Sequence, residues 1–537
     1  MKKIIALVLS CLAVFYFAYW RLPSTKPISL RLPEPEEKMI LIPLDSRPVC
    51  TTLPQDIAYV TGVQLILPPN ELLDKYTKPA NTDFLRIWLK NEARNIKSSI
   101  ISTDLLLHGG LLHGRTHIAN PEEQRTLMAS LQGLAQMQKD VKLFSIVPRL
   151  LVSDEVLPDA WYWYHLMRYS ECLDTSLLFG DFASAKEFSK YDSEIPADIK
   201  SKYLNIFKSS KNFNTELTKL ADKAEILIGQ DDASPFGLPR MTMEAISSSS
   251  KSNMVRLTNG ADELATLLVT KAYLEKHPTK PKIYIHYADS KTEFMHAPYM
   301  SMTNTQAVRE ALEIIGAQEV DDENSADIIL FINYGHDNYK PTKETVNTLN
   351  KYLQSNKAVA LVDNSQNFET EELLLPKLLS EDIQLNKLTA YAGWNTLGNS
   401  LGTALCQASI FVTRKSELPT NLHPALYANN LRMNINRFLD DYYYQKLKHP
   451  SLSYELYVNA IDSRNIEPED KPKVEQHLMA YTAFRAHQLL HTNIGRTPFY
   501  EQDGKSYYVT DLPTGTQLPW NRIFEVDIRS YPKFGVK

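Results

Sequence analysis

Asp231 and Asp232 stand side by side where a short apolar run ends, in the stretch ILIGQDDASPFGLPR at residues 226–240. Adjacent carboxylates repel, and leaving water makes the repulsion worse, so one pKa rises while the other stays low. General acid–base catalysis needs that split between two chemically identical groups. The competing uses of such a pair are a solvated turn or a metal loop.

Other chemistry-bearing residues follow other apolar runs in the same way. MILIPL (39–44) leads into Asp45 and Arg47, and SIIS (99–102) leads into Asp104, His108, His113 and Arg115. KLFSIV (142–147) precedes Arg149, and MVRL (254–257) precedes Asn259, Asp262 and Glu263. KIYIHY (282–287) is followed by Asp289, DIILFIN (327–333) by His336 and Asp337, and LTAYAG (388–393) by Trp394, Asn395 and Asn399. Each has a structural use as well. Asp45 can cap a helix starting near Leu53 or pair with Arg47, and Asp104 can be a buried acid held by Arg115. Asp262 and Glu263 fall where a helix begins, where acids favour the dipole. Asn395 and Asn399 also fall at a helix start. His108 and His113 lie five apart with glycines between them, so they do not share a helical face as an i, i+4 zinc pair does.

Positioning these residues requires strands that end together. The apolar runs alternate with amphipathic stretches such as EEQRTLMASLQGLAQMQKD, which predicts an α/β fold with parallel sheets covered by helices. Strands buried on both faces read as continuous apolar runs, and ligands bind at their carboxyl ends. The proline- and lysine-rich KHPTKPK marks a boundary. The expected units are a first α/β domain at 39–275, barrel-like or open, and a second, Rossmann- or flavodoxin-like, at 280–415. One large barrel built from both series is the alternative. Residues 420–495 read as helical and 496–537 as a β-rich tail.

The chain has 537 residues, 43% hydrophobic and 23% charged, with a net charge of -5. No basic run is interleaved with aromatics, so nucleic acid is not an expected partner. Residues 4–20 are uncharged and apolar behind Lys2 and Lys3. They suggest a membrane anchor or signal segment (1–21) with the main chain extracytoplasmic. A lipoprotein attached through Cys11 is the variant, and the proline-rich 22–38 reads as a tether. The four cysteines match no disulfide framework or zinc site.

Taken together, LIPLDSRP, STDLLLHGGLLHGR, GQDDASPFG, NGADE, GWNTLGNSLGTAL and LPWNRIFEV resemble the domain of unknown function 4127 family of bacterial proteins. A second similarity, at the level of fold, is to retaining hexosaminidases of the O-GlcNAcase type, on QDD and GWNTLGN. It implies that Asp232 protonates the leaving oxygen and that Asp231 orients the substrate acetamide. By the same likeness Trp394 and Asn395 hold and stack the sugar, while Asp45, Arg47 and Asp104 bind hydroxyls. The expected function is a glycan-processing hydrolase acting on a carbohydrate or cell-wall-derived substrate, without a cofactor. Two alternatives remain. One is a metal-dependent ester or amide hydrolase with Asp45, Asp104, Asp231, Asp232 and His336 as candidate ligands; the other is a non-catalytic glycan-binding protein.

Overall fold

A computed structural model describes residues 22–151 and 160–537. The segment expected as an anchor, with Cys11, lies outside the described residues. No helix among the described residues is long and apolar enough to cross a membrane.

After a short strand β1 (Lys26–Ile28), six strands make the first sheet: β2 (Glu37–Ile42), β3 (Val63–Ile66), β4 (Ser98–Ser102), β5 (Asp140–Val147), β6 (Glu225–Gln230) and β7 (Val255–Asn259). Their order is β3-β2-β4-β5-β6-β7, every pair parallel. The sheet is open, with β3 and β7 as edges, so neither barrel is formed. A second parallel sheet uses β8 (Lys282–Tyr287), β9 (Gln318–Glu319), β10 (Ile328–Gly335), β11 (Ala358–Ser365) and β12 (Ala390–Ala392) in the order β12-β11-β10-β8-β9. Both sheets therefore follow the doubly wound 2-1-3-4-5 pattern, the first with one strand more. Each has its switch point between its first and third strands, which places the binding crevice there.

The two sheets share one core. Helices Thr52–Thr61, Leu264–Leu274, Asn304–Ile315 and Leu397–Glu417 form the layer between them. Ten of the eleven residues of LATLLVTKAYL in the second of these helices are buried, because it meets protein on every side. β6 comes very close to this layer at Gly229. A Cβ there would overlap the carbonyl of Gly260 and lie 2.7 Å from Leu264 Cδ1. Gly229→Ala is expected to cost about 1–3 kcal/mol through overpacking, read as a lower urea midpoint at unchanged m-value.

The carboxy-terminal third covers the far face of the second sheet with helices His423–Arg437, His449–Val458 and Lys471–Leu490. Between the first two, Phe438–Lys448 is π-helical. The tail supplies β13 (Tyr500–Gln502), β14 (Lys505–Asp511), β15 (Thr514–Gln517), β16 (Asp527–Ser530) and β17 (Lys533–Val536). β1 joins them in the antiparallel order β1-β17-β14-β13. The segment read as a tether is therefore laid on the body: Leu22, Ile28 and Leu30 pack on the second core, and Leu32 is buried in the first. Its prolines suited a spacer, but its alternating apolar residues found a surface to cover.

Candidate functional site

At the first switch point, β2 delivers Asp45 and β4 delivers Asp104. Asp45 is fully buried and does not cap the helix that follows. It accepts from Arg47 Nε at 2.9 Å, Arg47 Nη2 at 2.7 Å and the Arg47 backbone N–H at 3.0 Å. The same guanidinium reaches the loop after β7, donating to Asp262 Oδ1 at 2.5 Å and Oδ2 at 3.3 Å. Arg47 thus braces two strand ends that are 215 residues apart in sequence. Cys50 lies beside this pair, and one ligand-capable atom from each of Asp45, Cys50 and Asp262 falls within 4.8 Å of the others.

Asp231 and Asp232 end β6. Asp231 is held by Arg115 in a two-pronged bridge, Nε to Oδ2 at 2.7 Å and Nη2 to Oδ1 at 3.0 Å. Arg115 therefore binds Asp231, not Asp104 as expected, because Asp104 turns inward and accepts the backbone N–H of Ile146 at 2.9 Å. Asp232 meets Arg149 Nη1 at 2.8 Å and keeps about a quarter of its side chain exposed, at 26%. Its φ of 37° is left-handed, a conformation that costs a non-glycine residue energy and turns the side chain out of the strand line. The electrostatics separate the two acids. Burial is the largest influence on Asp231 and opposes its ionisation, but the charge and hydrogen bonds of Arg115, with the charges of Arg149 and Arg47, together outweigh it and hold the carboxyl below its ordinary range. Burial, then the neighbouring Asp231 charge, raises Asp232.

Glu263 extends the cluster. It stands at the N-cap position of helix Leu264–Leu274 but makes no side-chain capping bond; its Oε2 accepts from Asn399 Nδ2 at 2.7 Å, tying the first sheet to the first turn of helix Leu397–Glu417. Asn399 also closes a capping box with Thr396, and Asn395, at a φ of 48°, donates to Asn399 Oδ1. Trp394 does not suit the stacking role given to it. It is buried in the inter-sheet core with its indole N–H on Thr403 Oγ1 at 3.1 Å.

Four predicted residues stand apart. His108 faces His117 across 3.1 Å, Nδ1 to Nδ1, and lines a small cavity of about 10 Å³ beside Asp104, space for a single water. Burial drives its pKa down to about 3, so it is neutral. Asp289 and His336 meet at the second switch point, Oδ2 to Nε2 at 3.4 Å, and Asp337 accepts from Asn367. His336 accepts the Asn338 backbone N–H at Nδ1, which places its proton on Nε2, toward Asp289. The five residues considered as metal ligands are not gathered into one group.

Sequence reasoning passed over several participants. Asp74 accepts the Ser46 backbone N–H at 2.8 Å, and burial followed by the Asp45 charge raises its pKa well above the usual range. Trp520 donates its indole N–H to Ser46 Oγ at 2.8 Å, and its ring lies under Arg522 and Arg47, at 4.8 and 5.6 Å. The motif LPWNRIFEV carried the signal for Trp520 and Arg522, whereas nothing around Asp74 marked it. A family model described as "Protein of unknown function (DUF4127)" matches residues 39–529, from β2 through β16. The chain belongs to the DUF4127 family. No curated protein matches it. The match spans every residue of the charged cluster in this DUF4127 protein, including Trp520 and Arg522 near its far end.

Burial raises Asp104 to about 7, Asp262 to about 6 and Glu263 to about 7. All three lie above the roughly 3.9–4.3 of an unfolded carboxyl. Between these limits these three groups hold more protons in the folded chain than in the unfolded one, so their contribution to stability falls as pH rises from about 4 to about 7. Urea midpoints are expected to be higher at pH 5 than at pH 8. Glu263→Gln, which keeps an acceptor for Asn399, should flatten that slope.

Proposed function

We propose that this protein is an extracytoplasmic glycan-processing hydrolase in which Asp232 supplies and recovers the proton. The observation that carries this reading is the unequal pair at the carboxyl edge of an open parallel sheet. One acid is locked ionised by a two-pronged arginine; its neighbour is partly exposed, has a raised pKa and is aimed by a second arginine. Asp232 would protonate the leaving oxygen as the glycosidic C–O bond breaks. It would then take a proton from the water whose oxygen bonds to the sugar carbon. Asp231 would stay negative and oppose the positive charge that develops on the sugar.

A metal-dependent hydrolase is the second reading, favoured by the proximity of Asp45, Cys50 and Asp262. Both of those acids are already committed to Arg47, so an ion would have to compete with a guanidinium bound at 2.5–2.9 Å.

The test is turnover of aryl glycosides, N-acetylhexosaminides among them, and of cell-wall fragments by the full-length chain in detergent. It is run with and without EDTA, beside Asp231→Asn and Asp232→Asn. Turnover that survives EDTA and fails in both variants supports the acid pair. Turnover lost to EDTA supports the metal reading. Saturable binding without turnover makes this a glycan-binding protein.

A further inference from the structure

The outer face of helix Lys471–Leu490 does not look like a solvated surface. Its inner side, including Val474, Leu478, Thr482, Ala486 and Leu489, is buried on the second core. An ordinary surface helix would carry charges on the other side. From Gln476 to Gln488, however, the one Asp, Glu, Lys or Arg is Arg485, half-buried, with its guanidinium over the Tyr443, Tyr481 and Phe484 rings at 5.2, 5.0 and 5.6 Å. Met479 and Phe484 are 49% and 55% exposed, with Ala480 and Ala483 between them. The adjoining helix His449–Val458, which meets this one through Glu455 and His477 at 3.5 Å, adds Tyr454, Tyr457 and Val458, all exposed on one side at i, i+3, i+4 spacing. An apolar, tyrosine-edged patch of this kind marks an interaction surface.

The chain itself indicates what covers it. Leu22, where the described residues begin, packs on the second core beside Gly495, at the carboxyl end of this same helix; a Cβ on Gly495 would lie 3.1 Å from Leu22 Cδ2. β1 follows at once, pinned to β17. The uncharged apolar run ends at Trp20, two residues earlier, and two residues of extended chain reach at most about 7 Å. A membrane segment ending there would leave no slack between the bilayer and the face carrying Leu22.

We propose that the outer face of helix Lys471–Leu490, with Tyr454, Tyr457 and Val458 of its neighbour, is the surface on which the body of the protein rests against a lipid bilayer. Tyrosines favour the headgroup level, where the ring is buried and the hydroxyl stays wet, and methionine and phenylalanine enter the acyl boundary. The two glutamines on this face carry no charge that the interface would have to desolvate, and Arg485 donates to Gln488 Oε1 at 2.8 Å. The proposal rests on residues 4–20 acting as an anchor and is independent of the hydrolase reading, since its test measures no turnover.

The test places a tryptophan at Phe484 or at Phe182 in the full-length chain. Phe182 is 82% exposed at the turn between helices Ala160–Phe179 and Phe182–Glu194 of the first unit, and serves as the comparison. Each variant is reconstituted in phosphatidylcholine–phosphatidylglycerol vesicles, with and without bromine on the upper acyl carbons. Its emission is read as the increment over the wild-type chain, after circular dichroism has matched the folds. Phe484→Trp is expected to emit at shorter wavelength and to lose about half of its added emission to bromine, while Phe182→Trp loses little. Emission from Phe484→Trp that bromine leaves unchanged overturns the proposal, as does equal quenching at both positions. An intact mass showing that the chain has been cut before Leu22 overturns it too.

Discussion

Asp232→Asn is expected to lower kcat/KM by roughly 10²–10⁴-fold on a glycoside with a poor leaving group, the usual contribution of a positioned acid. With an activated aryl leaving group, which departs without help, the loss should be much smaller. The contrast separates a proton donor from a residue that only shapes the site, since a shaping residue would cost both substrates alike. The pH profile adds a second readout. The proposed mechanism needs Asp232 protonated at the start, so kcat should fall as pH rises through its pKa, and burial and Asp231 place that fall above the ordinary carboxylate range. Asp231→Asn should behave differently. It leaves Arg115 buried without its anion, so stability and rate drop together. Wild-type rates in Asp232→Asn on both kinds of substrate would end the acid assignment.

Arg47→Met carries the largest expected loss of stability. The side chain is buried and satisfies two carboxylates that have little other company, Asp45 and Asp262. Removing one partner of a buried ion pair costs about 3–5 kcal/mol, because the orphaned charge stays behind. Here two charges stay behind, so the upper part of that range is expected at pH 8 in urea unfolding. The sign of its pH dependence follows. Without Arg47, which is the main influence lowering Asp262 against burial, Asp262 ionises less readily still in the folded chain than in the unfolded one. The penalty therefore appears as pH rises above about 4 and shrinks again on acidification. Adding Asp262→Asn to Arg47→Met should recover part of the loss. A single variant as stable as wild type at pH 8 would show that water reaches these acids freely.

The fold was legible where burial on both faces wrote itself into composition. Every apolar run taken for a strand in either series is one, and the switch from one sheet to the next follows the proline-rich KHPTKPK. What stayed hidden were pairings across the chain. Asp45, Arg47 and Asp262 could each be seen at a strand end, but their shared guanidinium depends on how two distant loops approach. Trp394 shows the opposite error, since a tryptophan after a strand suggested a sugar platform while its register pointed it into the inter-sheet core. Adjacent acids are also not diagnostic alone. Asp440 and Asp441 are a second such pair, yet Arg437 binds both at 2.9 and 2.8 Å, and both are buried in the π-helical segment. Asp231 and Asp232 differ because two arginines divide them and one acid remains within reach of solvent.

The pairing of β1 with β17 sets a clock on this molecule. The two strands lie about 500 residues apart, and ribosomes deliver about 5–20 residues per second, so the first partner waits roughly 25–100 s for the second. During that interval Lys26–Ile28 is an unpaired edge beside a growing chain, open to any strand that offers itself. Its brevity, three residues opening with a lysine and centred on a proline, makes it a poor template in the meantime. Lys26–Ile28 is thus fastened only once Lys533–Val536 has been made.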